Sequence, residues 1–174
     1  MIDSTTETRI RSATTADAEA MAGIYTYYVA NSVITFHEEP IPPSDFARRI
    51  LATEAASYPW LVAESGDRVV GYAFAGMWKD RSAYRFSAEV TIYVDHEYGG
   101  KGVGSHLYDR LFPILRDMGA HAIMAGIALP NDASVALHEK FGMVKVAHFK
   151  EVGFKCDRWV DVGYWELLTG DDDH

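Results

Sequence analysis

Two side chains in this sequence are suited to moving protons, and one loop is suited to holding a phosphate. Glu89 lies between Ala88 and Val90, where a carboxylate without partners is costly to bury. Lone charges usually face water, so a solvated strand face is the plain alternative. Position shifts that balance, because residues 89–95 (Glu-Val-Thr-Ile-Tyr-Val-Asp) lead within four residues to Gly99, Gly100, Lys101, Gly102, Val103 and Gly104. Glycines at a strand-to-helix turn let a ligand approach the backbone and turn successive N–H groups outward. A helix N-terminus adds unpaired donors and partial positive charge, which suits a phosphate or pyrophosphate. Two other phosphate loops do not fit. Lys101 is followed by Gly102, not Ser or Thr, and a dinucleotide fingerprint begun at Gly100 meets Ser105 where its third glycine belongs.

His138 stands four residues after Ser134 and seven after Asn131, so the three share one helical face, with Leu137 and Phe141 on another. A helical histidine is more often structural than catalytic, but its titration near neutrality makes it available as acid or base. Lys79 and Arg81, followed by Tyr84, could grip an anionic group; such a pair is ordinarily a solvated turn. Phe36, Tyr84 and Tyr93 are candidate pocket walls. The seven histidines are scattered and no Cys/His cluster has zinc spacing, so no metal is expected.

The elements that must position these groups are legible from periodicity. Val90, Ile92 and Val94 alternate with Glu89, Thr91 and Tyr93, the period of a strand. Leu107, Leu111, Ile114, Leu115 and Met118 recur at helical spacing. Upstream, Arg9–Arg11 reads as a short strand, and Thr14 with Asp17 as a capping box for a helix through Met21, Ile24, Tyr25, Tyr28 and Val29. Ser44 is expected to cap a second helix, after two prolines. Residues 60–64 and 68–77 read as a strand pair about the turn Ser65-Gly66-Asp67. Downstream come a buried strand over 122–129, a helix capped by Asn131 and closed by Gly142, and strands over 144–152 and 159–168 separated by 153–158. The polar residues 1–7 and the tail 170–174 are expected to fray. The order β-α-α-β-β-β-α-β-α-β-β predicts an α/β single domain with a mixed, largely antiparallel central sheet flanked by helices.

With 174 residues the chain can bury one sizeable core. A net charge of −9 argues against a nucleic-acid groove. The single cysteine, Cys156, excludes an internal disulfide and fits a reducing compartment. No run nears the roughly 18 apolar residues of a membrane span, and residues 1–7 lack a signal-peptide core. A cytoplasmic enzyme or binding protein is the expectation.

The glycine loop after an acid-bearing strand resembles the acyl-CoA loop of the GNAT superfamily of N-acetyltransferases. The similarity extends through Leu129–Gly142, Tyr58–Glu64 and Trp78–Tyr84, four ordered segments spanning nearly the whole chain, and it resembles the phosphinothricin acetyltransferase branch. The resemblance implies the GNAT (acyl-CoA N-acyltransferase) fold, acetyl-CoA as cosubstrate, and a homodimer. It implies that Ile92, Tyr93 and Val94 pair with the pantetheine arm, that Gly99–Gly104 hold the pyrophosphate, and that Asn131 and Ser134 complete the grip. An N–H near Val94 would stabilise the oxyanion. It places Glu89 in the cleft as the base that frees the acceptor amine, since an α-ammonium is largely protonated at neutral pH. His138 occupies the position of a thiolate-facing tyrosine, so it would serve as acid or as a second base. Lys79, Arg81, Tyr84 and Phe36 would line the acceptor pocket. Gly99 departs from the Gln or Arg usual in the motif, which removes a side-chain contact to CoA.

The function so implied is transfer of acetyl to the α-amine of a small amino-acid-like acceptor such as phosphinothricin, by direct attack. Within the class, methionine sulfone and sulfoximine acetylation is the rival, and acetylation of protein N-termini a second. A CoA-binding sensor without turnover is the rival from another class. Nucleotide hydrolysis is disfavoured by the absent Gly-Lys-Ser/Thr.

Overall fold

In the computed structural model, which describes residues 8–170, one seven-stranded sheet organises the chain. Of the ends expected to fray, 1–7 and 170–174, all but Gly170 lie outside the described residues. The strands are β1 (Thr8–Ser12), β2 (Trp60–Ser65), β3 (Arg68–Met77), β4 (Ser87–Val94), β5 (Ala122–Leu129), β6 (Val144–Lys155) and β7 (Arg158–Leu168). They lie in the order β1-β2-β3-β4-β5-β7-β6, with every pair antiparallel except β4–β5. Helices α1 (Ala18–Asn31) and α2 (Pro43–Ala55) cover one face; α3 (Val103–Asp117) and α4 (Asp132–Lys140) cover the other. No described helix is long and apolar enough to cross a membrane.

Period-2 alternation sorts β4 between two cores. Val90 packs with α3 residues Val103, Leu107 and Leu111, whereas Tyr93 packs with the α1–α2 cluster around Met21, Tyr25, Phe46 and Tyr72. The parallel pairing of β4 with β5 covers only Ser87–Glu89 against Ala122–Met124. Beyond Glu89 the two strands part, so that β4 has no strand partner on that side through Val94. Parallel neighbours need a crossover, and α3 supplies it.

The main departures from the sequence reading lie at α2 and at the β6–β7 hairpin. Helix α2 begins at Pro43, with Pro42 as its N-cap and Ser44 inside the first turn; a proline at the first helical position loses nothing, because its N–H would be unpaired anyway. Strand β6 continues through Gly153 to Lys155. The β6–β7 hairpin turns instead on Cys156 and Asp157, both left-handed at φ 52° and 55°, as a two-residue turn that follows sheet twist requires.

Candidate active site

The gap where β4 leaves β5 opens a cleft of about 570 Å³ on the α3–α4 side. Ile92, Tyr93 and Val94 form one wall, Gly99, Gly100, Gly102, Val103 and Gly104 the mouth, and Asn131 and Ser134 the opposite side. Gly100 and Gly102 have φ of +73° and +82°, a region where a Cβ is strained. Gly104 has another reason to be glycine: a Cβ there would stand 2.9 Å from Leu137 Cδ2, so the glycine lets α3 start against α4. Gly99, at φ −57°, is under neither constraint. Lys101 stands outside the lining, with Nζ 4.7 Å from the centre of the Tyr98 ring. Asn131 caps α4, its Oδ1 accepting from the Ser134 N–H at 3.2 Å.

A second cavity, of about 1090 Å³, adjoins the first, and Ile34 and Tyr93 line both. Its floor carries Glu89, Thr91 and Tyr93, the alternate residues of β4. Burial raises the Glu89 carboxyl above its ordinary range, opposed by the Tyr164 hydroxyl, which donates to Oε1 at 3.3 Å, and by Lys79. Tyr164 reaches across β5 because residue 126 is glycine; a Cβ there would lie 3.0 Å from its ring. Of the expected acceptor residues, Lys79 and Phe36 line the cavity. Arg81 and Tyr84 do not: Arg81 is exposed at the start of a 3-10 turn, and Tyr84 packs edge-on against Trp78 with centroids 5.3 Å apart.

A strand edge left unpaired, backbone donors at a helix start, and a half-buried carboxylate one cavity away form a site for acyl transfer from a phosphate-bearing carrier. The profile of the acetyltransferase (GNAT) domain matches residues 10–163. The chain belongs to the GNAT acetyltransferases. Phosphinothricin N-acetyltransferase of Streptomyces viridochromogenes is 40% identical over 157 residues, 90% of this chain and 85% of that protein. The L-methionine sulfoximine/L-methionine sulfone acetyltransferase of Salmonella typhimurium is 33% identical, over 91% of this chain and 92% of its own. A GNAT superfamily phosphinothricin acetyltransferase from Sinorhizobium meliloti, solved in complex with acetyl-CoA, superposes with a TM-score of 0.90 at 33% identity, covering 94% of this chain and 89% of that one. This GNAT enzyme is thus an N-acetyltransferase that uses acetyl-CoA, and the residues of its cleft fit that donor.

His138 is placed differently from Glu89. It is 3% exposed and lines neither cavity. Its Nδ1 lies 2.7 Å from the Ser134 carbonyl, which can only accept, so Nδ1 carries the proton. Nε2 then accepts from the Tyr108 hydroxyl at 2.8 Å. Burial lowers its pKa, opposed by the Ser134 carbonyl, and keeps the ring neutral. The structure therefore brings Glu89, Thr91 and Tyr93 together and leaves His138 beneath the Asn131–Ser134 turn.

Several residues of this GNAT site escaped the sequence reading. Tyr25 bonds both Thr35 Oγ1 and, at 2.5 Å, His37 Nδ1, and all three line the second cavity. The Tyr28 hydroxyl donates to the Val94 carbonyl at 2.5 Å. Lys140 lines the first cleft, with Nζ 2.8 Å from Ser105 Oγ. Tyr164 is a cavity wall, and Trp165 is a core residue 2% exposed. The i, i+3 spacing of Tyr25 and Tyr28 could have signalled paired hydroxyls. Nothing local marks Tyr164.

Proposed function

We propose that the protein acetylates the α-amine of a small amino-acid-like acceptor such as phosphinothricin. The observation that carries this reading is the position of Glu89, a half-buried carboxylate on the floor of a cavity that meets the donor cleft at Tyr93. A partly desolvated carboxylate is a stronger base than a solvated one, and it can take the ammonium proton directly or through a water. Tyr164 fixes the Glu89 carboxyl by its hydroxyl bond. The unpaired edge of β4 beyond Glu89 presents backbone groups for the pantetheine arm, with the N–H near Val94 as oxyanion donor. Acetyl-CoA supplies the acyl group as a thioester. Gly99–Gly104 and Asn131 hold its phosphates and arm, with Lys140 beside Ser105 as an added cation. Cys156 is exposed on the β6–β7 turn, outside both cavities, so attack by the amine is direct.

With both ring nitrogens of His138 engaged, we assign it the bracing of the Ser134 turn and leave the proton work to Glu89. Lys79 is the cation for the acceptor's anionic group; Arg81 and Tyr84 support its loop. A second reading has specific support. Phe36, Met124, Phe149 and Val162 give the cavity apolar walls, which suit methionine sulfone or sulfoximine equally well.

A thiol-release screen over amino acids and their phosphinate, sulfone and sulfoximine analogues tests the assignment. Turnover with at least one is expected, and Glu89→Gln should lower it by about 10²–10⁴-fold. Binding of CoA without thiol release on any amine would make the protein a sensor. We further infer a homodimer in the cytoplasm. Val144, Phe154 and Trp159 are 61%, 52% and 62% exposed along the β6–β7 edge, an apolar margin suited to self-association. The free Cys156 fits a reducing compartment. Sedimentation as a monomer at micromolar concentration would refute the dimer.

A further inference from the structure

The segment joining α1 to α2 walls the acceptor cavity, yet regular secondary structure does not hold it. Thr35, Phe36 and His37 line the acceptor side, and Ile34 faces both cavities. It is secured from the far edge of the sheet by the last residues of β6. Lys155, though a cation, is only 4% exposed, and its Nζ donates to the Thr35 carbonyl at 2.9 Å, 120 positions away in sequence. No described carboxylate pairs with it. Two residues earlier, the Phe36 ring rests on Gly153 so closely that a Cβ would stand 2.3 Å from Cζ. The β6–β7 register shifts between Phe149 and Gly153, where Glu151 takes φ 52°. That irregularity sets the Gly153–Lys155 arm apart from the earlier register of β6.

A buried ammonium held by a neutral carbonyl is a poor way to stabilise a core, because desolvation opposes it. It is a good way to fix one carbonyl in space. Thr35, so fixed, places its own Oγ1 on the Tyr25 hydroxyl, which in turn holds His37. One donor on β6 therefore sets three wall residues, and Gly153 sets the fourth.

We propose that Gly153 and Lys155 determine acceptor selectivity as positioning residues: neither touches substrate, and both fix where the Ile34–His37 wall stands. The inference rests on the amino-acid acetylation proposed above. The test compares wild type with Lys155→Met, Lys155→Arg and Gly153→Ala, each assayed by thiol release with a short acceptor, alanine, and a long one, methionine sulfone. Losing a charge-assisted bond is felt at roughly tenfold or more. The acceptor KM of Lys155→Met should rise about that much while the KM for acetyl-CoA stays within about threefold, and Lys155→Arg should recover most of the loss. Gly153→Ala should alter the ratio of kcat/KM between the two acceptors by about fivefold or more, a difference of about 1 kcal/mol. Should Lys155→Met fail to fold, Gly153→Ala decides alone, since the half-exposed Phe36 ring has solvent to move into. An unaltered selectivity ratio in an active Gly153→Ala enzyme, or equal losses for both substrates in Lys155→Met, would overturn the proposal and leave the acetylation reading standing. A wild type inactive on every amino acid would remove both.

Discussion

Replacing Tyr164 with phenylalanine isolates the one hydrogen bond that a side chain gives the Glu89 carboxyl among the described residues. The hydroxyl donates to Oε1 at 3.3 Å, longer than the 2.5–2.7 Å usual for a hydroxyl on a carboxylate. Bonds to charged groups contribute about 1.5–3 kcal/mol, so this one belongs at the low end, about 1.5 kcal/mol. Water still screens a half-buried carboxyl, which reduces the effect further. Its sign follows from the chemistry: the bond favours the ionised form, so losing it raises a pKa that burial has already raised. The assay is thiol release against pH at saturating acetyl-CoA. The low-pH break in kcat/KM should move upward, with rates above the break nearly unchanged. A break that stays in place, or a loss uniform at every pH, would show that Tyr164 does not govern the ionisation of Glu89.

Gly104→Val brings a Cβ to 2.9 Å from Leu137 Cδ2; overpacking of this kind costs about 1–3 kcal/mol and should lower Tm, which calorimetry would register. Lys140→Ala removes a cation from the donor cleft and should raise the KM for acetyl-CoA by roughly tenfold, an effect that added salt diminishes. His138 has a pKa lowered by burial from 6.5, so the unfolded chain takes up a proton that the folded chain refuses. Stability is therefore full above pH 6.5 and declines as pH falls from there toward the lower folded value. Thermal melts of His138→Gln should start lower but lose that slope, whereas a proton-transfer role would appear in the rate profile instead.

What the sequence disclosed and what it concealed follow from range. Glu89, Thr91 and Tyr93 share a face because strand alternation is local, and the glycine loop is local for the same reason. Asn131 caps α4 as read, since its partner is three residues away. The burial of His138 was not legible, because Tyr108, its partner, is 30 positions distant. Tyr164 and Glu89 are 75 apart. Gly153 resembled a turn glycine, yet it is a seat for Phe36. The true turn at Cys156-Asp157 lacks a glycine to announce it. Tertiary contacts chose among readings that local pattern left open.

The three-residue parallel pairing of β4 with β5 has a mechanical consequence. Along this line the sheet is two slabs, β1–β4 and β5–β7–β6, stitched at one end and open at the other. A donor whose arm lies along the open edge adds the missing rungs, so it acts as a splint as well as a reactant. Ligand at a hundred times its Kd stabilises a fold by about 2.7 kcal/mol, and here that increment falls on the seam. The amides of Ile92 and Val94 should exchange with solvent deuterium far more slowly once the splint is in place, while those of β2 and β3 barely respond. On the pairing proposed above, loading with donor stiffens the body that walls the second cavity.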